Sequence, residues 1–158
     1  MTRERGRGNP WVLLATCGGV GGLPVAPGTW GSLVGVLLGV IGAKLLRHPY
    51  ALFTLIAAFV LFAWICGKAA RALGEPDPRS VILDEVWGMA AVVMALPWLV
   101  SVWSHLIVGF MLFRAFDVAE PPPLRELERL SGGWGIMADD LGAAAYTILL
   151  LWVIHIVG

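Results

Sequence analysis

Asp139-Asp140-Leu141-Gly142-Ala143-Ala144-Ala145-Tyr146-Thr147-Ile148-Leu149-Leu150-Leu151-Trp152-Val153-Ile154-His155-Ile156-Val157 decides the fold. Two adjacent carboxylates are followed by seventeen residues with no Asp, Glu, Lys or Arg among them. A helix rising about 1.5 Å per residue covers most of a ~30 Å hydrocarbon core over that length. Leu141–Val157 is therefore predicted to span a membrane from a start marked by paired acids.

The whole chain fits that reading. Of its 158 residues, 58% are hydrophobic and 14% charged, where a soluble domain has about 25% charged. The length suits a single membrane-embedded domain over residues 1–158. A formal net charge of zero offers no argument for a nucleic-acid partner. Trp11, Trp30, Trp87, Trp98, Trp103 and Trp152 fall near predicted helix ends, as an aromatic belt requires. Cys17 and Cys66 lie far apart in apolar runs and read as small buried thiols. The basic start at Arg3, Arg5 and Arg7 precedes no clean cleavage site, so no signal peptide is expected.

Working outward, Trp11–Leu23 is apolar but short and glycine-rich, and predicts an interfacial or re-entrant helix. Pro24–Gly28 is a loop. Spanning helices are expected over Thr29–Leu46, Tyr50–Ile65 and Leu141–Val157, and a shorter pair over Val86–Leu96 and Trp98–Phe113 folds back at Pro97. The expectation is an all-α polytopic membrane bundle with about five crossings plus the short N-terminal helix. With the N-terminus inside, the inner segments hold nine of the eleven Lys and Arg residues, and only Lys44 and Arg47 lie outside. The positive-inside rule favours that orientation. His48, His105 and His155 then fall on the outer side as interfacial or packing residues.

All eleven acids fall on the inner side. Five of them, Asp84, Glu85, Asp117, Asp139 and Asp140, sit where apolar helices meet the interface. An acid at a helix N-terminus caps free N–H groups, which accounts for one carboxylate per helix but not a tandem pair. Asp117 at a helix end opposes the dipole, and its structural reading is an ion pair with Arg114 three residues earlier. A shared divalent cation accounts for the set together. Carboxylates and water suit a hard ion such as Mg²⁺, which bridges to phosphate oxygens.

Two further stretches point the same way. Leu23-Pro24-Val25-Ala26-Pro27-Gly28-Thr29-Trp30-Gly31-Ser32 runs a loop into a helix N-terminus. Gly28, Thr29, Gly31 and Ser32 there, with Arg114, are candidate phosphate-binding residues, and the structural alternative is a simple helix entry with Thr29 as N-cap. Gly132-Gly133-Trp134-Gly135-Ile136-Met137-Ala138-Asp139-Asp140 reads as a turn whose glycines allow close approach of a ligand, or as a flexible connection.

These segments, with Asp84-Glu85-x-x-Gly88-Met89 and Phe113-Arg114-x-Phe116-Asp117, resemble the phosphatidylglycerophosphatase A family from about Gly21 to Ala144. The resemblance implies a bacterial inner-membrane, Mg²⁺-dependent lipid phosphatase with its site on the cytoplasmic side. Such an enzyme removes the terminal phosphate of phosphatidylglycerophosphate and leaves phosphatidylglycerol. Asp84, Glu85, Asp117, Asp139 and Asp140 are then expected to be both catalytic and metal-ligating. Attack by water and attack by an aspartate both remain open. Glu120 stands where the family usually carries lysine, and Ala143-Ala144 where it carries Ala-Gly. The rival readings are a relative of altered specificity or without activity, and a non-enzymatic divalent-cation transporter.

Overall fold

A computed structural model describes residues 8–127 and 130–157. Arg3, Glu4, Arg5, Arg7, Glu128 and Arg129, all assigned to the inner side, lie outside that range. The described residues are all-helical: α1 Pro10–Ala15, α2 Pro27–Leu45, α3 Tyr50–Leu73, α4 Leu83–Ala95, α5 Trp103–Ala119, α6 Leu124–Leu127 and α7 Gly133–Val157. Short 3₁₀ turns lie at Val20–Gly22 and Pro97–Ser101. The chain is an all-α membrane protein.

Among the described residues three helices, α2, α3 and α7, are long and apolar enough to cross a bilayer, and their most apolar stretches are only 28–33% buried inside the protein. Leu37, Phe53, Ile56, Leu149 and Ile154 stand exposed on them. Such broad apolar surface belongs against lipid. Helix α4 is the opposite case. It has 13 residues, eleven of them buried, so it is the central helix and does not face lipid. Its residues belong to both hydrophobic cores. One core joins α1, α3 and the start of α7 through Ala15, Cys66, Trp87 and Met137. The other joins α5 and the middle of α7 through Met89, Phe113, Ala143 and Leu151.

The most extensive helix contact is α2 on α4. Gly31, Gly35 and Gly39 repeat every four residues on one face of α2. A methyl group at Gly35 would lie 2.6 Å from the Val86 carbonyl oxygen and 2.9 Å from Met89 Cβ, and one at Gly39 would lie 2.7 Å from Val93 Cβ. Small residues at this spacing allow two backbones to touch, as membrane helices do without a hydrophobic drive to associate.

Several expected boundaries move. The N-terminal helix stops at Ala15, because Cys17, Gly18 and Gly19 all take positive φ, of 48°, 72° and 100°. It packs on α3, where Trp11 meets Trp64 at 4.6 Å between ring centres. Helix α3 continues to Leu73 and ends on left-handed Gly74. Trp87 is interior and donates from Nε1 to the Leu55 carbonyl at 2.9 Å, so it is not a belt residue.

The largest change is α7, which begins at Gly133 rather than Leu141. Gly132 makes the turn at φ 68°. Gly133 then seats the helix on α3, where a methyl group on Gly67 would lie 3.1 Å from its amide nitrogen. Asp139 and Asp140 therefore lie in the second turn of α7, about 10 Å beyond its first residue, and do not cap it. At the far end of the bundle His155 stacks on Trp98 at 4.4 Å and His105 meets the same ring edge-on at 5.4 Å, which is a packing role.

Candidate active site

The N-terminal end of α4 is drawn inward by glycine on both sides. Gly31 of α2 abuts the Ile82 carbonyl at 3.0 Å and Glu85 Cβ at 3.4 Å, measured from the methyl position it lacks. Gly88, one turn into α4, leaves room for the Phe113 ring of α5 at 2.7 Å and for Asp140 Cβ of α7 at 3.3 Å from the same missing position. Three helices thus bring their carboxylates to a fourth. Asp84, Glu85 and Asp140 each offer an oxygen, and these oxygens lie within 4.8 Å of one another. Asp84 and Asp140 are 8% and 1% exposed. Asp84 Oδ1, Glu85 Oε2 and Asp140 Oδ1 are buried with no hydrogen-bond partner.

A cavity of about 290 Å³ opens over this trio. All five expected carboxylates line it, together with Gly28 and Arg114. Asp117 forms an ion pair with Arg114, and Asp139 Oδ1 accepts the Asp140 amide at 2.9 Å. A methyl group at Gly28 would collide with Glu85 Oε1 and lie 3.2 Å from both terminal nitrogens of Arg114. The missing side chain there leaves the floor of the cavity open, and the first turn of α2 ends on it. Thr29, Gly31 and Ser32 are not on the lining. Ser32 is fully buried and its hydroxyl donates to the Gly28 carbonyl at 3.0 Å. Gly31 carries the α2–α4 contact.

Two non-glycine residues on the rim are left-handed, Ala26 at φ 46° and Glu120 at φ 43°. Each holds about 1–2 kcal/mol of backbone strain. Glu120 caps α5 and its carboxylate meets Arg125 at 3.4 Å. The segment after it is fastened to α7 by Tyr146, whose hydroxyl donates to the Pro122 carbonyl at 2.7 Å, and by Leu124, which fills the space beside Gly142. Cys17 lies outside the membrane spans, and its thiol is pushed above the ordinary range by burial and then by the charge of Glu85. A thiol raised in this way carries less of the reactive thiolate at neutral pH.

The family model for phosphatidylglycerophosphatase A matches residues 13–155. The chain belongs to that family. It is 40% identical over 148 residues to phosphatidylglycerophosphatase A of Haemophilus influenzae, covering 93% of this chain and 90% of that one. It is 35% identical to phosphatidylglycerophosphatase A of Escherichia coli, covering 92% and 84%. A Bacteroides thetaiotaomicron protein with the provisional name phosphatidylinositol-3-phosphatase is 36% identical, covering 90% and 94%. No solved structure matches.

Membership makes the chain a phosphatase, a phosphoric monoester hydrolase, and sets the transporter reading aside. Two lining residues, Asp77 and Arg79 of the α3–α4 connection, were not singled out from sequence as site residues. Asp77 lies between Pro76 and Pro78 and Arg79 follows, so the stretch looks like an ordinary polar loop. The four-residue glycine spacing on α2 was the available signal for the α2–α4 contact.

Proposed function

We propose that the chain hydrolyses the terminal phosphomonoester of phosphatidylglycerophosphate at the cytoplasmic face of a bacterial inner membrane. The observation that carries this is the trio of buried Asp84 and Asp140 with half-buried Glu85, whose unpartnered oxygens converge under an open cavity beside Arg114. Three carboxylates this close repel one another, and buried charges persist only when paired or bound to metal. The donors are all hard oxygens with room left for water, which fits Mg²⁺. Asp84, Glu85 and Asp140 would hold the ion, with Asp117 and Asp139 beside them. When bound, Mg²⁺ would neutralise phosphate charge and acidify water at a site that has no His nucleophile.

The remaining work falls to the chain's own groups. Arg114, fixed by Asp117, presents a cation to the phosphate. Gly28 leaves space for the phosphate oxygens at the start of α2, where the helix dipole favours an anion. Thr29, Gly31 and Ser32 support this wall through the backbone of α2. The acyl chains stay in the leaflet while the headgroup reaches the cavity, so the substrate need not leave the bilayer.

The test is phosphate release from phosphatidylglycerophosphate in mixed micelles, with Mg²⁺ and with EDTA. Release that depends on Mg²⁺ is expected. A full rate in EDTA would refute the metal, and no release in Mg²⁺ would refute the substrate. The name of the Bacteroides relative favours a second reading, phosphatidylinositol 3-phosphate, so that lipid belongs in the same assay. Faster release from it would reverse the order of the two readings.

A further inference from the structure

Next to the carboxylate cavity lies a larger groove of about 1060 Å³ that runs beside α1 and the Val20–Gly22 turn. Pro27, Asp77, Pro78 and Arg79 line both, so the α3–α4 connection forms a sill between them. On the groove side Leu13 and Leu23 are 58% and 42% exposed, apolar surface at the inner end of the bundle where lipid chains are at hand. The cavity side holds the carboxylates and Arg114. Arg114 is already engaged by Asp117, and Glu120 on the opposite lip by Arg125. Arg79 is exposed on the sill and forms no ion pair among the described residues. An unpaired guanidinium between a phosphatase cavity and a groove with apolar wall at Leu13 and Leu23, and with Glu75 and Asp77 also on its lining, suits a second anion in the same ligand, one lying between the reacting phosphate and the acyl chains.

We infer that Arg79 is a specificity residue that binds the linking phosphodiester of a lipid carrying two phosphates. The terminal phosphomonoester enters the carboxylate cavity and the glyceride lies along the groove by Leu13 and Leu23. This rests on the lipid-phosphatase reading above and extends it to a rule of selection. Phosphatidylglycerophosphate has both phosphates in that order. Phosphatidate has only the monoester, joined directly to the glyceride, and leaves Arg79 without a partner. Phosphatidylglycerol has only the diester. The planar fork of arginine matches two phosphate oxygens at once, which lysine does not.

The experiment compares wild type, Arg79→Ala and Arg79→Lys in mixed micelles with Mg²⁺. Loss of one charge-assisted contact at a solvated sill is expected to lower the preference for phosphatidylglycerophosphate over phosphatidate about tenfold, through KM. The inhibition constant of phosphatidylglycerol is expected to rise by about the same factor, and Arg79→Lys to recover part of both. An Arg79→Ala enzyme with an unchanged preference and unchanged inhibition overturns the inference, as does one that loses equally on both substrates. Wild-type enzyme that fails on phosphatidylglycerophosphate defeats the functional reading itself, and the inference with it.

Discussion

Replacing Asp140 with asparagine should make the metal-free protein more stable and the enzyme inactive. Asp140 is 1% exposed, and its oxygen lies within 4.8 Å of those of Asp84 and Glu85. At that separation and an effective dielectric constant of about 20, each like-charge pair repels by about 3.5 kcal/mol. Asp140→Asn removes two such pairs at nearly constant volume. Proton sharing and relaxation already relieve most of this repulsion in wild type, so the net gain should be about 1–3 kcal/mol. The new amide has acceptors beside it in the carboxylate oxygens of Asp84 and Glu85. In EDTA the variant should therefore melt roughly 3–10 °C above wild type. Mg²⁺ should reverse the order, because an ion at a thousand times its Kd stabilises its site by about 4.1 kcal/mol and the variant has lost a ligand. Thermal unfolding in detergent, followed by the fluorescence of the eight tryptophans, measures both states. Phosphate release should fall by about 10³-fold. A variant that melts below wild type in EDTA, or that keeps the full Mg²⁺ shift, would show that the trio is not a charge cluster awaiting a cation.

Arg114→Gln should lower kcat/KM by about 10²-fold, since it removes the cation beside Gly28 and also frees Asp117 to repel phosphate; a loss under threefold in the release assay would place the phosphate elsewhere. Gly35→Leu should destabilise the protein by about 1–3 kcal/mol by forcing α2 off α4, read as a lower melting temperature with activity lost in parallel; an unchanged melting temperature would contradict the tight crossing. Glu120→Lys replaces an acid on the cavity rim with a cation, and should raise kcat/KM about threefold at low salt, with the gain fading as salt is added. An equal gain at high salt would mean that the substitution acts through the left-handed backbone at that position.

The membrane bundle and its acidic site were legible because both follow from composition at fixed places. Apolar runs must span, and tandem acids beside them require a reason. The placement of Asp84, Glu85, Asp117, Asp139 and Asp140 around one cavity follows from loops that return to the same side. What was less legible depends on packing between helices. Gly132-Gly133-Trp134-Gly135 has the composition of a turn, and only the contact of Gly133 with Gly67 makes most of it helix. Ser32 looked like a phosphate ligand because a hydroxyl near a helix start often is one. Its bond to the Gly28 carbonyl is a choice between backbone and ligand that local sequence leaves open. Trp87 has the hydropathy of a belt residue, but α4 is enclosed by protein and places it inside.

The length of α4 and the position of the site have one cause. A helix of 13 residues rises about 20 Å, too short for a ~30 Å core if lipid surrounded it. Enclosed by α2, α3, α5 and α7, it has no such obligation. Asp84 is buried at its start, and Glu85 half-buried, because the Gly31 and Gly88 notches let α2, α5 and α7 close over them. The same closure brings Asp140 inward from the second turn of α7 rather than from its exposed start. Widening either notch by a side chain would let water reach the carboxylates and disperse them. The glycines thus serve the chemistry by holding three like charges close enough that a cation becomes their natural partner.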